Sequence, residues 1–240
     1  MAIATDAAST AGVPGNATSA TWTHVCTGSN LFLWVAIEVT ENINAPNVTG
    51  VTYAGAALTK AGSITDASGL VGTYAYYKFG PATGSNSIVV SLSALPGSAV
   101  GFYCRAQSFT GVDQSGLDQT SNVLTAASSP ITTNITTVTA NAWIVDAFGV
   151  SANSTLPTAV SPQVGAVAPN TTSARNVGLS YHGPIVTPAS TSDGWTCATA
   201  TQLNLVVSVI KPATAAFVFE DDTFQVGHPT PLDNPISVWG

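Results

Sequence analysis

Charged side chains are scarce in this sequence. Only 7% of the residues are Asp, Glu, Lys or Arg, whereas about a quarter is usual in soluble proteins. Five basic and twelve acidic residues give a formal net charge of -7, which leaves no basic patch to neutralise a phosphate backbone. The composition therefore predicts that nucleic acid is not a partner.

Long apolar runs are missing as well. No window approaches eighteen consecutive apolar residues, and residues 1–16 lack the basic region and the long apolar core of a signal peptide. We therefore expect a soluble protein that has no membrane partner and is not exported by that route.

Cysteine is rare. Cys26, Cys104 and Cys197 are an odd number and show no Cys-x-x-Cys or Cys/His spacing, so neither a disulfide framework nor a zinc site is indicated. Buried free thiols are the expected state. A single disulfide between Cys26 and Cys197 is the alternative, if the terminal strands are neighbours.

Hydroxyl side chains take the place of the missing charges. The chain has 24 Ser and 33 Thr among its 240 residues, so its surface must be polar without being ionic. Hydrophobic residues make up 45%, and the mean hydropathy is +0.31. Disordered chains combine high net charge with few apolar residues, and this chain should therefore fold around a sizeable core.

Alternation with a period of two dominates wherever the sequence is periodic. The clearest case, residues 31–39, predicts a long strand with one core face. The run 203–211 reads as a strand buried on both faces. Further strands are predicted near 48–59, 70–79, 88–93, 98–110, 141–150 and 174–182. No window of a dozen residues shows a helical period.

About ten short strands suit two antiparallel sheets packed face to face. We therefore predict an all-β fold, an antiparallel β-sandwich that is jelly-roll-like and occupies residues 1–213. Three stretches rich in Ser, Thr, Asn, Gly and Pro are expected to be long surface loops, at 111–131, 151–173 and 187–199. Residues 214–240 contain three late prolines, which remove ladder donors, and read as an extended C-terminal arm.

Two short segments predict local structure. Tyr53-Ala54-Gly55-Ala56 lies between apolar runs and indicates a tight hairpin, because Gly supplies the positive φ that the turn needs. Asp113 follows a strand and is expected to cap the next turn by accepting from its backbone N–H groups.

Several segments also occur in a recognisable order: WTHVCTGSNLFLWVAIEV, VTGVTYAGAALTKAGS, YYKFGPATGSNSIVVSLS, AQSFTGVDQSGLD and LNLVVSVIKPA. In these segments residues 8–213 resemble a family of uncharacterised all-β domains found in tailed-phage virion proteins and bacterial surface proteins. Ser108–Gln114 is the most specific element, and Val51–Gly55 supports it. The resemblance implies a lectin-like β-sandwich used as a structural or display module, with no catalytic residue to carry over.

No catalytic signature is visible in the sequence. There is no G-x-S-x-G elbow, and no motif surrounds any of the histidines, which are His24, His182 and His228. A glycosidase needs a pair of catalytic carboxylates. The spacing of the candidate acids does not favour such a pair over ordinary solvated positions; the candidates are Glu38, Glu41, Asp146 and Asp193. We therefore predict a protein that is not an enzyme and has neither cofactor nor metal site.

Two binding alternatives stay open. Glu220-Asp221-Asp222, with Asp233, could supply oxygen ligands for Ca²⁺, although a solvated strand end is the favoured interpretation. Among the aromatic residues, Trp195 lies in a polar stretch and is the best candidate for an exposed ring that stacks on a sugar. Most of the other aromatic residues are expected in the core or in interfaces: Trp22, Trp34, Tyr74, Tyr76, Tyr77, Trp143 and Trp239.

Together these observations predict a virion structural protein of a tailed phage, a decoration or cement protein of the capsid. Its expected partners are further copies of itself, in a homo-oligomer, and the major capsid protein or other virion subunits. Assembly would take place in the host cytoplasm. The alternative is a carbohydrate-binding receptor module of a tail fibre or surface adhesin, in which Trp195 and the long loops contact a glycan.

Overall fold

The computed structural model describes residues 1–13, 17–40, 47–95, 101–151, 156–169, 176–198 and 202–214. All regular secondary structure in these ranges is β-strand. The strands are β1 (Ala4–Val13), β2 (Ser19–Cys26), β3 (Phe32–Thr40), β4 (Val48–Tyr53), β5 (Ala56–Ala57), β6 (Thr59–Thr65), β7 (Val71–Phe79), β8 (Gly84–Leu92), β9 (Phe102–Thr110), β10 (Gln119–Ala126), β11 (Ile131–Thr136), β12 (Ala142–Ser151), β13 (Thr158–Ala159), β14 (Val164–Pro169), β15 (Asn176–Ile185), β16 (Ser190–Thr196) and β17 (Gln202–Ile210).

These strands form four antiparallel sheets that lie in layers. Sheet I has the order β2-β8-β4-β5, sheet II β1-β9-β3-β7-β6, sheet III β10-β17-β12-β15-β14 and sheet IV β11-β16-β13. Sheets I and II enclose one apolar core and form the N-terminal sandwich, while sheets III and IV enclose another and form the C-terminal sandwich. A further core lies between sheets II and III. The predicted all-β antiparallel sandwich is confirmed, and residues 1–213 contain two sandwiches stacked on each other.

The two sandwiches repeat one topology. The strands β1–β9 can be matched in order to β10–β17 if β4 and β5 together take the place of β13. The strand orders of sheets II and III are then identical, and those of sheets I and IV are equivalent. Counted within the C-terminal sandwich, the orders are 1-8-3-6-5 and 2-7-4. The fifth strand pairs with the sixth in the larger sheet, whereas a jelly roll places it in the smaller one. The fold is thus a pair of modified jelly rolls.

The central strand β3 shows why the stack forms. Leu33 and Val35 point into the core of the N-terminal sandwich, while Phe32, Trp34 and Ala36 point into the core between sheets II and III. All nine residues of β3 are buried. The expectation of one core face for this strand is therefore wrong, because sheet III covers the second face. The prediction that the strand at 203–211 is buried on both faces is confirmed by β17.

Sheets II and III contact each other reciprocally. β9 of sheet II packs against β15 of sheet III, and the equivalent strands β17 and β7 also pack together. Likewise, β6 contacts β10 and β17, and its equivalent β14 contacts β1 and β9. Such exchange of equivalent contacts is the signature of an isologous, two-fold interface. Two buried side chains hydrogen-bond across it: Trp34 Nε1 donates to the Asp146 carbonyl at 2.7 Å, and Asn204 Nδ2 donates to the Val71 carbonyl at 2.9 Å.

Both local predictions are confirmed. Tyr53 pairs with Ala56 across a two-residue turn in which Ala54 and Gly55 have φ of 51° and 78°, the conformation of a type I′ hairpin turn. The carboxylate of Asp113 accepts the backbone N–H of Ser115 at 2.7 Å.

The expected long loops are only partly loops. β10 lies within 111–131, β13 and β14 lie within 151–173, and β16 fills most of 187–199. Their Ser, Thr and Gly residues weaken the sequence signal for strands, yet neighbouring strands supply ladder partners and override that local preference. The predicted arm, residues 214–240, lies outside the described residues from 215 onwards.

Candidate functional site

A buried pair of carboxyl groups is the strongest concentration of polar chemistry in the described residues. Asp146 lies on β12 in sheet III and Asp193 on β16 in sheet IV, and both side chains point into the C-terminal sandwich. Each has an exposed fraction of 0%. The expectation that these acids are solvated is therefore wrong, and it is also wrong for Glu38, which is 0% exposed. Glu41 lies outside the described residues.

Asp146 is surrounded by hydrogen-bond donors. Its Oδ1 accepts the backbone N–H of Ser180 at 2.7 Å. Its Oδ2 accepts the Ser180 hydroxyl at 2.6 Å and Trp195 Nε1 at 2.7 Å. Charged acceptors with several donors make strong hydrogen bonds, so the carboxylate of Asp146 ties β12, β15 and β16 together.

Gln163 connects the second acid to this network. Its Nε2 donates to Asp193 Oδ1 and to Ser180 Oγ, each at 2.7 Å, and lies 3.3 Å from Asp146 Oδ2. Its Oε1 accepts the backbone N–H of Gly194 at 3.0 Å. A single amide thus bridges sheets III and IV next to the carboxyl pair.

Burial and mutual repulsion make Asp193 hold a proton more tightly than a solvated carboxyl group does. Burial raises the pKa of Asp193 well above 3.8, and the charge of Asp146 together with the hydrogen bond between the two acids raises it further. Burial also raises the pKa of Asp146, but its hydrogen bonds with Ser180, Trp195 and Asp193 oppose that increase. Asp193 Oδ2 has no hydrogen-bond partner among the described residues. Asp193 is therefore the acid of the pair whose pKa is raised the more clearly, by burial and by the charge of Asp146.

Trp195 is buried rather than exposed. Its exposed fraction is 0%, and its ring stacks on Phe148 with centroids 5.0 Å apart. A Cβ built on Gly178 would lie 2.8 Å from the indole, so the ring rests flat on the backbone of β15. The proposed sugar-stacking role of Trp195 is wrong, because an alternating strand turns this side chain into the core and Asp146 satisfies its N–H.

A second polar cluster closes one edge of the N-terminal sandwich. Ser9 Oγ lies 2.8 Å from His24 Nδ1 and accepts Trp22 Nε1 at 2.9 Å. Burial lowers the pKa of His24 to about 4, although the charge of Asp6 opposes this decrease. His24 is therefore neutral at pH 7. Its Nε2 has no partner among the described residues, so no carboxylate orients the ring as it would in a Ser-His-Asp triad.

Asp6 belongs to the same edge. Burial alone would raise the pKa of this carboxyl group, but hydrogen bonds from Thr27 and Ser108 outweigh the effect of burial and lower the pKa. Asp6 accepts the Thr27 backbone N–H at 2.9 Å and the Ser108 hydroxyl at 2.8 Å. The arrangement ties β1 to β9 and to the end of β2.

The remaining histidine of the described chain and the cysteines are also placed. His182 lies within β15 rather than at its end, and burial lowers its pKa. Cys26, Cys104 and Cys197 are free and buried. The expectation of free thiols is confirmed and the alternative disulfide is wrong, since Cys26 and Cys197 belong to the cores of different sandwiches.

Trp143 is a half-buried aromatic residue beside a cavity. Tyr181 stacks on it with centroids 5.8 Å apart and an angle of 21° between the rings. A Cβ built on Gly183 would lie 2.3 Å from the same indole, so backbone covers the ring as well. Tyr181 and Gly183 therefore both contact the indole.

Small hydroxyl and amide side chains dominate the outward faces of sheets I and IV, where Val25 is also exposed. In the strands of these two sheets, the sole Asp, Glu, Lys or Arg is the buried Asp193. The outward side chains include Ser19, Thr21, Thr23, Ser85, Ser87, Thr132, Asn134, Thr136, Ser190 and Ser192. The four-layer stack therefore presents two uncharged hydroxyl faces on its opposite sides. No sequence signal singled them out, because the alternation that creates them extends along most of the chain.

The described ranges hold neither a cluster of metal ligands nor a helix that could span a membrane. They contain no group of three or more His, Cys, Asp or Glu side chains placed to hold a metal ion. The Glu220–Asp222 cluster, proposed above for Ca²⁺, lies outside them, as do His228, Asp233 and Trp239. None of the described residues forms a helix that is long and apolar enough to cross a membrane.

The fold and these sites define a tandem β-sandwich protein. No protein-family model, curated protein or solved structure matches the chain.

Proposed function

We propose that this chain is a non-enzymatic structural protein of a tailed-phage virion, and that it decorates or cements the capsid. The observation that carries the proposal is the pair of uncharged hydroxyl faces on sheets I and IV. The order of segments that resembles virion β-domains supports the same function.

Such faces suit extensive contact with neighbouring subunits. Burying a charged side chain without a partner is far more costly than burying a hydroxyl group that finds a hydrogen bond. Thr21 and Ser87 on sheet I, and Thr132 and Ser192 on sheet IV, are exposed and close to the backbone, so a flat partner could approach each sheet without desolvating an ion.

Two opposite faces allow one copy to touch two neighbours. A decoration protein that works in this way would bind the major capsid protein through one face and another copy of itself, or a second capsid subunit, through the other. Its place is then the virion, after assembly in the host cytoplasm.

The glycan-binding alternative has less support. It depended on Trp195, which is buried, and the half-buried Trp143 ring is already stacked with Tyr181.

The direct test is to locate the protein in purified virions by cryo-electron microscopy and quantitative mass spectrometry. We expect regular positions on the capsid and a copy number in the hundreds. A few copies at the tail tip would contradict the capsid function and favour an adhesin.

A matched pair of variants tests the proposed contact. Thr21→Lys puts a charge on the outward face of sheet I, whereas Thr59→Lys puts one on the exposed edge strand β6 of sheet II. We expect Thr21→Lys to reduce attachment to the capsid at least tenfold and Thr59→Lys to leave it unchanged, with equal melting temperatures. Equal attachment of both variants would contradict a role for that face.

A further inference from the structure

An arginine without an acceptor lies at one margin of the interface between sheets II and III. Arg105 belongs to β9 and alternates with Cys104 and Ala106, which point into the core of the N-terminal sandwich. The Arg105 side chain therefore points the other way, towards sheet III. β14 of sheet III packs against β1 and β9 at this place.

Both edge strands present accessible side chains beside this arginine. Thr10 of β1 is the register partner of Arg105 and is exposed. Val164 of β14 pairs with Tyr181, which packs against the core between the two sheets. Val164 is 57% exposed, and Ala166, on the same side of β14, is half-buried. We call these five residues the β1–β14 margin.

The guanidinium group of Arg105 has a charge to satisfy. Its Nε is buried and has no hydrogen-bond partner among the described residues. Burial lowers the pKa of Arg105, and Tyr181 is the sole titratable group of the described chain that opposes this decrease. An arginine nevertheless stays protonated at neutral pH. A partly buried charge that lacks a counter-charge costs the folded state free energy.

The equivalent position in sheet III shows that the fold does not require an arginine here. β9 corresponds to β17, and aligning Ala36 of β3 with Ala147 of β12 makes Arg105 equivalent to Val206, because these are their register partners. Val206 is apolar and 0% exposed. A charge where the same topology accepts an apolar side chain goes against packing, and such departures are expected at functional positions.

We propose that the β1–β14 margin binds a carboxylate through Arg105. A guanidinium group offers parallel N–H donors that match the two oxygens of a carboxylate. Because the buried Nε keeps water from part of this group, the remaining N–H donors attract an anion more strongly than a solvated arginine does.

The surroundings favour a particular kind of anion. A carboxylate has one negative charge, so it meets less repulsion from a chain of net charge -7 than a doubly charged phosphate does. Val164 and Ala166 can pack against methylene groups that carry the carboxylate. The ligand is therefore a small free acid or an acidic side chain of a partner protein. This inference does not depend on the proposed capsid function.

NMR spectroscopy of the full-length protein labelled with ¹⁵N-arginine tests the site. The Nε–H signal that disappears in Arg105→Lys belongs to Arg105. The unmodified protein is titrated at constant ionic strength with N-acetylglutamate N-methylamide, a blocked glutamate, and with the matched blocked glutamine. We expect the Arg105 signal to shift and saturate with the blocked glutamate, with a dissociation constant on the order of millimolar, and to stay in place with the blocked glutamine.

Acetate distinguishes the two sources of the carboxylate. Acetate binding that is at least about tenfold weaker than that of the blocked glutamate would assign the site to an acidic side chain, because the methylene contacts are then required. Equal affinities would assign it to a small free acid. Either result supports a carboxylate site.

Two variants separate this site from the effect of net charge. Arg105→Met introduces an apolar side chain, as at Val206, whereas Lys60→Met removes the same charge from an exposed position of β6, at the opposite edge of sheet II. A ligand that binds the folded state raises the melting temperature. We expect the blocked glutamate, at roughly ten times its dissociation constant, to raise it by a few degrees in wild type and Lys60→Met but not in Arg105→Met.

Three outcomes would overturn the proposal. They are a shift that does not saturate, an equal response to the blocked glutamine, and the same stabilisation by the blocked glutamate in Arg105→Met as in wild type. The titration uses the unmodified protein, so the first two outcomes do not depend on the folding of Arg105→Met.

Discussion

The two sandwiches share one strand order but have different interiors. Aligning Ala36 of β3 with Ala147 of β12 pairs Phe32 with Trp143 and places Val35 opposite Asp146. Val35 lies in an apolar core, whereas Asp146 lies in a carboxyl network that is fully buried. The same topology thus accepts either an apolar interior or a polar one, provided that the polar groups find hydrogen-bond partners.

The sandwiches also differ in the titratable group that each keeps neutral. The N-terminal sandwich buries a base, His24, whose pKa is lowered by burial. The C-terminal sandwich buries an acid, Asp193, whose pKa is raised by burial and by Asp146. The contributions of these two groups to stability should therefore respond to pH in opposite directions.

Removing the charge of Asp146 should give the largest effect. In Asp146→Asn an amide NH₂ replaces one acceptor oxygen and faces the donors of Ser180 and Trp195, so we expect a loss on the order of 3 kcal/mol in the free energy of unfolding. Urea titration at neutral pH measures it. Asp113→Asn is the control, since its side-chain oxygen can still cap the turn. A loss no larger than that of the control would show that the network does not stabilise the C-terminal sandwich.

Asp193→Asn should change the pH dependence of stability. The folded protein keeps the Asp193 proton above pH 3.8, whereas the unfolded chain releases it. Stability therefore falls as pH rises from about 4 towards the raised pKa of the folded state. The Asn amide can donate to Asp146 and accept from Gln163, so the variant should lose this slope while it keeps the fold. Thermal unfolding across that range measures the slope, and an unchanged slope would contradict the raised pKa of Asp193.

His24→Gln should remove a smaller slope of the opposite sign. Below pH 6.5 the unfolded chain takes up a proton that the folded protein refuses until about pH 4. Stability is therefore lost as pH falls through this window, by on the order of 2 kcal/mol once partial solvent screening is allowed for. The variant should be less sensitive to acid between pH 6.5 and 4. If the stabilities of wild type and variant fall equally between pH 6.5 and 4, His24 is not buried as a neutral base.

Strand periodicity predicted the all-β class and most of the strands, because alternation reports directly on burial. It did not predict β1, whose residues 4–13 are mostly Ala, Ser and Thr, nor the strands hidden in polar stretches. Those strands depend on ladder partners far away in the sequence, which local propensity does not register.

The buried network could not be predicted for a related reason. Asp146 and Asp193 are separated by three strands in the chain, and a polar residue at an alternating position looks the same whether water or a second sheet faces it. One signal was available: Asp146 interrupts the inward face of an otherwise apolar strand, between Ile144 and Phe148. A polar residue in that position must be satisfied internally.

The four-layer stack also makes the molecule a spacer of defined thickness. Packed sheets lie about 10 Å apart, so sheets I and IV are separated by roughly 30 Å. This separation depends on three packed interiors rather than on a linker, and it cannot stretch or compress without losing core contacts. The outward faces of sheets I and IV are therefore held at a fixed distance from each other.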